Sequence, residues 1–217
     1  MTPDRTEQLI VELAAHMTPA PRLAPVSVRM ARWLVVAGIA TAVAIWIIGA
    51  RADLSLAMAE PNVLVSLALA FLASASAAAL SLRLSVPGAE QSAWMRWTPF
   101  VIVGVWVGAL LQWSQSAGAP ISSLVREPLH AACVLRVVAL SLIPAAVLLR
   151  SARQGFVLDR GWTATLAVLA GSGLAALAVQ LLCPIDRPAH LVMSHALPAI
   201  ALLAAAPLAA KALRTAR

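Results

Sequence analysis

The chain has 217 residues, of which 61% are apolar and 12% charged, with mean hydropathy +0.88, values that exclude an ordinary soluble domain. Sixteen Lys and Arg against nine Asp and Glu give a net charge of +7, which in a soluble protein would raise nucleic-acid binding but here is better read as a topology signal. Two cysteines exclude a disulfide scaffold, a two-pair CxxC relay and a four-Cys zinc site, leaving at most one bridge.

The first element is a tail of 32 residues, shorter than the roughly 40 at which chains usually fold without help. Between Thr6 and Met17 the residues Leu9, Ile10, Leu13, Ala14 and Met17 recur at helical spacing, with Glu7, Gln8 and Glu12 elsewhere around the wheel. This pattern predicts a short amphipathic helix, capped by Asp4 or Thr6 and ended by Pro19, Pro21 and Pro25. It suits either a lipid surface or a groove on a partner, and two acids beside the single Arg5 match anionic headgroups poorly. The long polar leader before Trp33 argues against a cleavable signal peptide.

Six apolar runs follow, at 33–50, 62–82, 97–117, 129–149, 162–182 and 189–210, each near the 20 or so residues that cross a bilayer as a helix. The predicted fold class is all-α, a six-helix transmembrane bundle, because the short polar joints leave no place for barrel strands. Twelve of the sixteen basic residues fall on the side of the two termini. Only Arg51, Arg126 and Arg187 lie on the other side, and Arg136 lies within a span. The positive-inside rule therefore places both termini, including the basic stretch 211–217, in the cytoplasm. Gly104 and Gly108, with Ala73, Ala77, Gly171, Gly173 and Ala175, read as small surfaces for helix packing. Trp33, Trp94, Trp97, Trp113 and Trp162 read as interfacial anchors, and Pro144 and Pro198 as kinks in the fourth and sixth spans.

The reactive side chains gather on the periplasmic side of this topology. Cys133 lies near the outer end of the fourth span and Cys183 at the outer end of the fifth, with His130, Pro184, Asp186, Arg187, His190 and His195 nearby. Asp186 and His190, four apart, share a helix face if the helix extends that far back, whereas His190 and His195, five apart, do not. The cysteines can be inert core thiols, a structural disulfide in an oxidising compartment, or a sensor. Arg136, one turn past Cys133, favours the sensor, since a neighbouring cation stabilises the reactive thiolate, and Asp186 is its expected partner within the membrane. Cys133, Cys183 and His190 are suitable zinc ligands without a local spacing motif. No phosphate loop, paired metal carboxylates or CxxC is present, and Ser194 beside His195 is only sequence adjacency, so no catalysis, cofactor or small-molecule substrate is expected.

Cys183-Pro184-Ile185-Asp186, His195 and Pro198, the Leu84-Ser85-Val86-Pro87-Gly88 joint, Gly49 to Leu54 after the first span and the leading Glu7-Gln8-Leu9-Ile10 resemble the negative regulator of sigma F family over nearly the whole chain. The resemblance implies an inner-membrane anti-sigma factor that holds an extracytoplasmic-function sigma factor inactive and does not itself touch nucleic acid. It further implies that Cys133 and Cys183 carry a response to oxidants or thiol-reactive metals, with Leu9, Ile10, Leu13 and Met17 meeting the sigma factor. The rival class is a small transporter or channel with Arg136 and His195 along its pathway. A purely structural membrane subunit is the third.

Overall fold

The computed structural model describes residues 3–15, 23–88, 92–120 and 122–213. These residues are helical or irregular, with no strand among them. Six helices are long and apolar enough to cross a membrane, which marks a membrane protein. In chain order they are the first span Val26–Ile48, the second Pro61–Arg83, the third Trp94–Ser116, the fourth Ala131–Arg153, the fifth Arg160–Leu182 and the sixth Pro188–Ala212. Short helices Leu54–Ala57 and Ser122–Arg126 fill two of the joints.

The first span begins seven residues before the predicted boundary, because nothing between Pro25 and Trp33 breaks a helix. Pro61 stands in the first turn of the second span, where a proline forfeits no hydrogen bond. The fifth span starts at a true cap: Asp159 accepts a 3.1 Å hydrogen bond from the Trp162 amide. In the tail, the helix runs Pro3–Ala15 and so begins upstream of both predicted caps; Asp4 and Thr6 lie within it. Met17, Pro19 and Pro21 lie outside the described residues.

The fifth span is the axis of the bundle. In its most apolar window 78% of residues are buried, against 44% or less for the other five spans, so it is surrounded rather than lipid-facing. It packs chiefly against the second and fourth spans and, towards its start, the end of the sixth. Small residues make this possible. A Cβ on Gly171 would lie 2.8 Å from the Ala145 Cβ and 2.8 Å from the Ser141 carbonyl oxygen, so the fourth span closes directly onto the backbone there. Serines of the second span fasten its other side: Ser74 donates to the Ala170 carbonyl and Ser81 to that of Thr163 at 3.0 Å.

Several expectations need correction. Trp33 is no interfacial anchor; it is 1% exposed and donates its indole N–H to the Pro144 carbonyl at 2.9 Å, because the first span is longer than predicted and carries it into the core. Trp94 and Trp97 are exposed as an anchor requires, and Trp97 stacks edge-on to Trp162 with ring centroids 5.1 Å apart. Gly104 and Gly108 face open space, with no described atom within 4 Å of an added Cβ, so they pack no helix within the chain. Arg29, in the stretch read as tail, belongs to the first span. It is buried in the first span, with Nη1 donating to Ser85 Oγ at 3.0 Å, Nε to Ser151 Oγ at 3.2 Å and Nη2 to the Ser151 carbonyl.

The sixth span departs most from a regular helix. Pro198 has no N–H to offer the Ser194 carbonyl, and the chain just before it widens into a π-turn over Val192–Ala196, in which the Leu197 amide bonds Val192, five residues back. A 3-10 turn at Leu202–Ala205 follows before the helix resumes.

The Gly171 contact is testable by size. Gly171→Ala should cost roughly 1–3 kcal/mol because the new methyl meets backbone, whereas Gly173→Ala, whose Cβ would sit at an ordinary 3.4 Å from Ser74, should change little. Thermal unfolding of both variants in micelles checks this, and equal effects would mean that the fourth and fifth spans do not close at Gly171.

Candidate functional site

The end of the bundle formed by the starts of the second, fourth and sixth spans and the finish of the fifth carries two polar constellations side by side.

The first is a charge clamp on Arg51. Its side chain is 1% exposed, and its guanidinium donates to Asp53 through Nε and Nη2, both at 2.7 Å, and to both oxygens of Asp186. The Pro184 carbonyl lies 3.5 Å from Nη2, and the Arg51 amide donates to the Leu181 carbonyl at 3.2 Å. The clamp therefore ties the joint after the first span to the joint between the fifth and sixth. The hydrogen bonds it donates, first to Asp53 and then to Asp186, hold the guanidinium pKa above its ordinary value, and the same bond lowers that of Asp53. Asp186 is thus the partner of Arg51, not of Arg136. The sixth span starts only at Pro188, leaving Asp186 in extended chain beside Arg51 and off the helix face of His190. Arg136, half-buried on the fourth span, has no ion-pair partner among the described residues.

The second constellation is buried. Cys133 and Cys183 are free thiols 5% and 3% exposed, with their sulfurs 3.5 Å apart. The His190 Nε2 lies 3.3 Å from the Cys183 sulfur. Its Nδ1 is 3.1 Å from His130 Nδ1 and 3.8 Å from a carboxylate oxygen of Glu127, which Arg187 approaches to 3.1 Å. His195 stands beside His190 with ring centroids 5.2 Å apart, contrary to the expectation that residues five apart diverge. The π-turn is the reason: where the backbone repeats at i→i+5, residues five apart come round to one side. Around the thiols pack Trp106, Leu110, Val137, Val179 and Leu191, so the cluster is sealed by the bundle's own core.

Each element contributes for a local reason. The fourth span begins at Ala131, directly after His130, so Cys133 lies in its first turn, and the His130 amide is held by Ser194 Oγ at 3.1 Å. Ser194 is thereby committed to holding the fourth span and forms no hydrogen bond with His195. Cys183 ends the fifth span, its amide bonded to the Val179 carbonyl at 2.9 Å, and Pro184 stops the helix there. Glu127 was not singled out from the sequence. An acid three residues ahead of a histidine in the joint leading to Cys133 was the available signal.

At the other extremity of the chain, Leu9, Ile10, Val11 and Leu13 of the Pro3–Ala15 helix are all exposed, so its apolar residues are uncovered.

A family model described as negative regulator of sigma F matches residues 13–214, nearly the whole chain. The chain belongs to that family. It is a regulator family rather than an enzyme family, and the partner implied by its description is a sigma factor. No curated protein and no solved structure matches the chain.

The clamp has a definite pH dependence. A carboxylate whose pKa is lowered by folding stabilises fully above its ordinary value and loses that contribution as pH falls through the lowered one. Arg51→Ala should lower the melting temperature in micelles by about 5 °C at pH 7. The difference from the parent should shrink below roughly pH 4 as Asp53 protonates. A pH-independent difference would mean that Arg51 acts through packing alone.

Proposed function

We propose that this protein is an inner-membrane anti-sigma factor that sequesters an extracytoplasmic-function sigma factor through its tail helix and releases it when Cys133 and Cys183 meet a periplasmic oxidant or thiol-reactive metal. The observation that carries the reading is the pairing of family membership with two buried sulfurs 3.5 Å apart, contributed by different spans. Basic residues concentrated on the side of the termini support a cytoplasmic tail, and so an outward-facing cysteine end.

The tail is too small for an enzyme but suits a groove. Leu9, Ile10 and Leu13 present an uncovered apolar edge of the kind an amphipathic helix lays into a partner. Met17, at the same spacing in the sequence, is the fourth member of the proposed docking set.

At the cysteine end, oxidation removes two protons and two electrons from the thiols, passes the electrons to the oxidant and forms one S–S bond. Bond formation draws the sulfurs from 3.5 Å to about 2.05 Å, and the ends of the fourth and fifth spans must follow. Turning a 99:1 bound ratio into 1:99 takes about 5.5 kcal/mol of differential free energy, within reach of a disulfide or a tightly held metal. Arg136, Asp186, Pro184, His190 and His195 support the pair by position.

Two experiments separate the halves of this reading. Cys133→Ser combined with Cys183→Ser should keep the sigma factor bound and abolish induction by peroxide or cadmium; an unchanged induction profile in a sigma-dependent reporter refutes cysteine sensing. Leu9→Glu or Leu13→Glu should release sigma activity at least tenfold while membrane insertion is unaffected, and persistent repression would put the docking face elsewhere.

A further inference from the structure

His195 presents a problem that the cysteine pair alone leaves unsolved. It is 0% exposed, and neither ring nitrogen has a hydrogen-bond partner among the described residues. A buried imidazole without partners is costly and calls for an explanation, such as an absent ion. One nitrogen of His195 lies with the Cys133 sulfur, the Cys183 sulfur and a nitrogen of His190 in a set of four atoms all within 4.8 Å of one another.

The geometry points to a four-ligand site for a single thiophilic divalent cation of the zinc class, held by Cys133, Cys183, His190 and His195. This deepens the sensing reading above and rests on it for the role of the ion as signal, while the site itself depends only on these four side chains. The separations fit. Bonds of about 2.3 Å to sulfur and 2.0–2.1 Å to nitrogen in a tetrahedron place ligand atoms roughly 3.4–3.8 Å apart. The observed sulfur–sulfur distance is 3.5 Å and the sulfur–nitrogen distance 3.3 Å.

Charge selects the class of ion. Binding converts two thiols to thiolates and releases two protons, so a divalent ion with two thiolates and two neutral imidazoles makes a site of zero net charge. A monovalent ion leaves one negative charge in the apolar core, which is expensive without a partner. Four protein ligands and no exposed side chain among them leave no open coordination position, as in zinc sites that hold structure rather than catalyse.

The surroundings of His190 complete the pattern. With Nε2 on the metal, its Nδ1 carries the proton and faces the Glu127 carboxylate 3.8 Å away, while His130 Nδ1, 3.1 Å away, is itself 3.0 Å from the Pro128 carbonyl. A carboxylate behind a histidine ligand orients the ring and raises its basicity. Glu127 is nearly buried, with one oxygen receiving no aligned hydrogen bond. Since the ligands come from the fourth span, the end of the fifth and the first turns of the sixth, one ion joins three spans.

The test uses the purified full-length protein in micelles, reduced, and titrated with Co(II) as a spectroscopic stand-in. One ion per chain is expected, with thiolate-to-cobalt charge-transfer absorption, intense tetrahedral d–d bands, and displacement of both by stoichiometric Zn(II). His195→Leu removes the orphaned nitrogens, so the metal-free variant should be at least as stable as the parent, yet it should lose the tetrahedral bands and the thermal stabilisation by Zn(II). Glu127→Gln should weaken Zn(II) binding about 10–100-fold while keeping the bands. Failure of Co(II) to bind, weak octahedral bands without thiolate charge transfer, or full Zn(II) stabilisation of His195→Leu would each overturn the site. Octahedral bands retained in the double cysteine variant would assign the ion to Glu127, His130 and His190 instead. Sigma release is scored separately: cysteine-dependent release without these bands refutes the metal site and leaves sensing intact, whereas the bands without release uphold the site and refute its signalling role.

Discussion

The closure of the fourth span onto Gly171 sets the geometry of everything at the cysteine end. The two helices run antiparallel, and the contact pairs Gly171 with Ala145. From there Cys183 is twelve residues onward (183 − 171) and Cys133 twelve residues back (145 − 133), so the two chains reach the same level from a shared fulcrum. At 1.5 Å rise per residue that is about 18 Å of rigid helix on each side. A side chain at Gly171 would splay the helices, and the sulfurs would lose their register before any chemistry could begin. The small residues of the fifth span are therefore as much a part of the site as the thiols.

Much of this was legible in the sequence. Six apolar runs, their order and the common depth of Cys133 and Cys183 follow from hydropathy and length, because the bilayer imposes a fixed span and leaves the backbone few alternatives. What escaped were features set by tertiary partners. Nothing local to Arg51 or Asp186 announces that two joints far apart in sequence meet, and a lone intramembrane arginine was the more conspicuous claimant for the acid. Trp33 was misplaced because an indole near a predicted boundary looks the same whether it faces headgroups or the Pro144 carbonyl. The π-turn was the costliest omission. A pattern read at 3.6 residues per turn sets His195 apart from His190, while the local winding brings them together. Pro198 was recognised as a distortion, but the face that the distortion would present was not.

Polar groups buried in this bundle follow two different logics. Ser74, Ser81 and the Ser66–Trp106 pair satisfy one another or a neighbouring backbone and serve as fasteners, each adding a modest amount to helix association. The cluster of cysteines and histidines is held by the same helices but is incompletely paired, and it is sealed by apolar side chains that would have stabilised the fold as well without it. Gln180 Nε2 and Ser123 Oγ also lack partners, but the thiol–histidine cluster is where unpaired nitrogens and the two sulfurs converge. The negative regulator of sigma F family supplies the context: a regulator whose description implies a sigma-factor partner.

The anchoring of Arg29 has a consequence for how far the tail helix can travel. Its guanidinium grips Ser85 and Ser151, so the chain is pinned to the bundle within one turn of Pro25. Ten residues, 16–25, separate the exposed helix from that root, and fully extended they reach no more than about 35 Å. A helix on so short a tether stays within that distance of the bundle whatever it meets, so its reach is set by the membrane domain rather than by free diffusion.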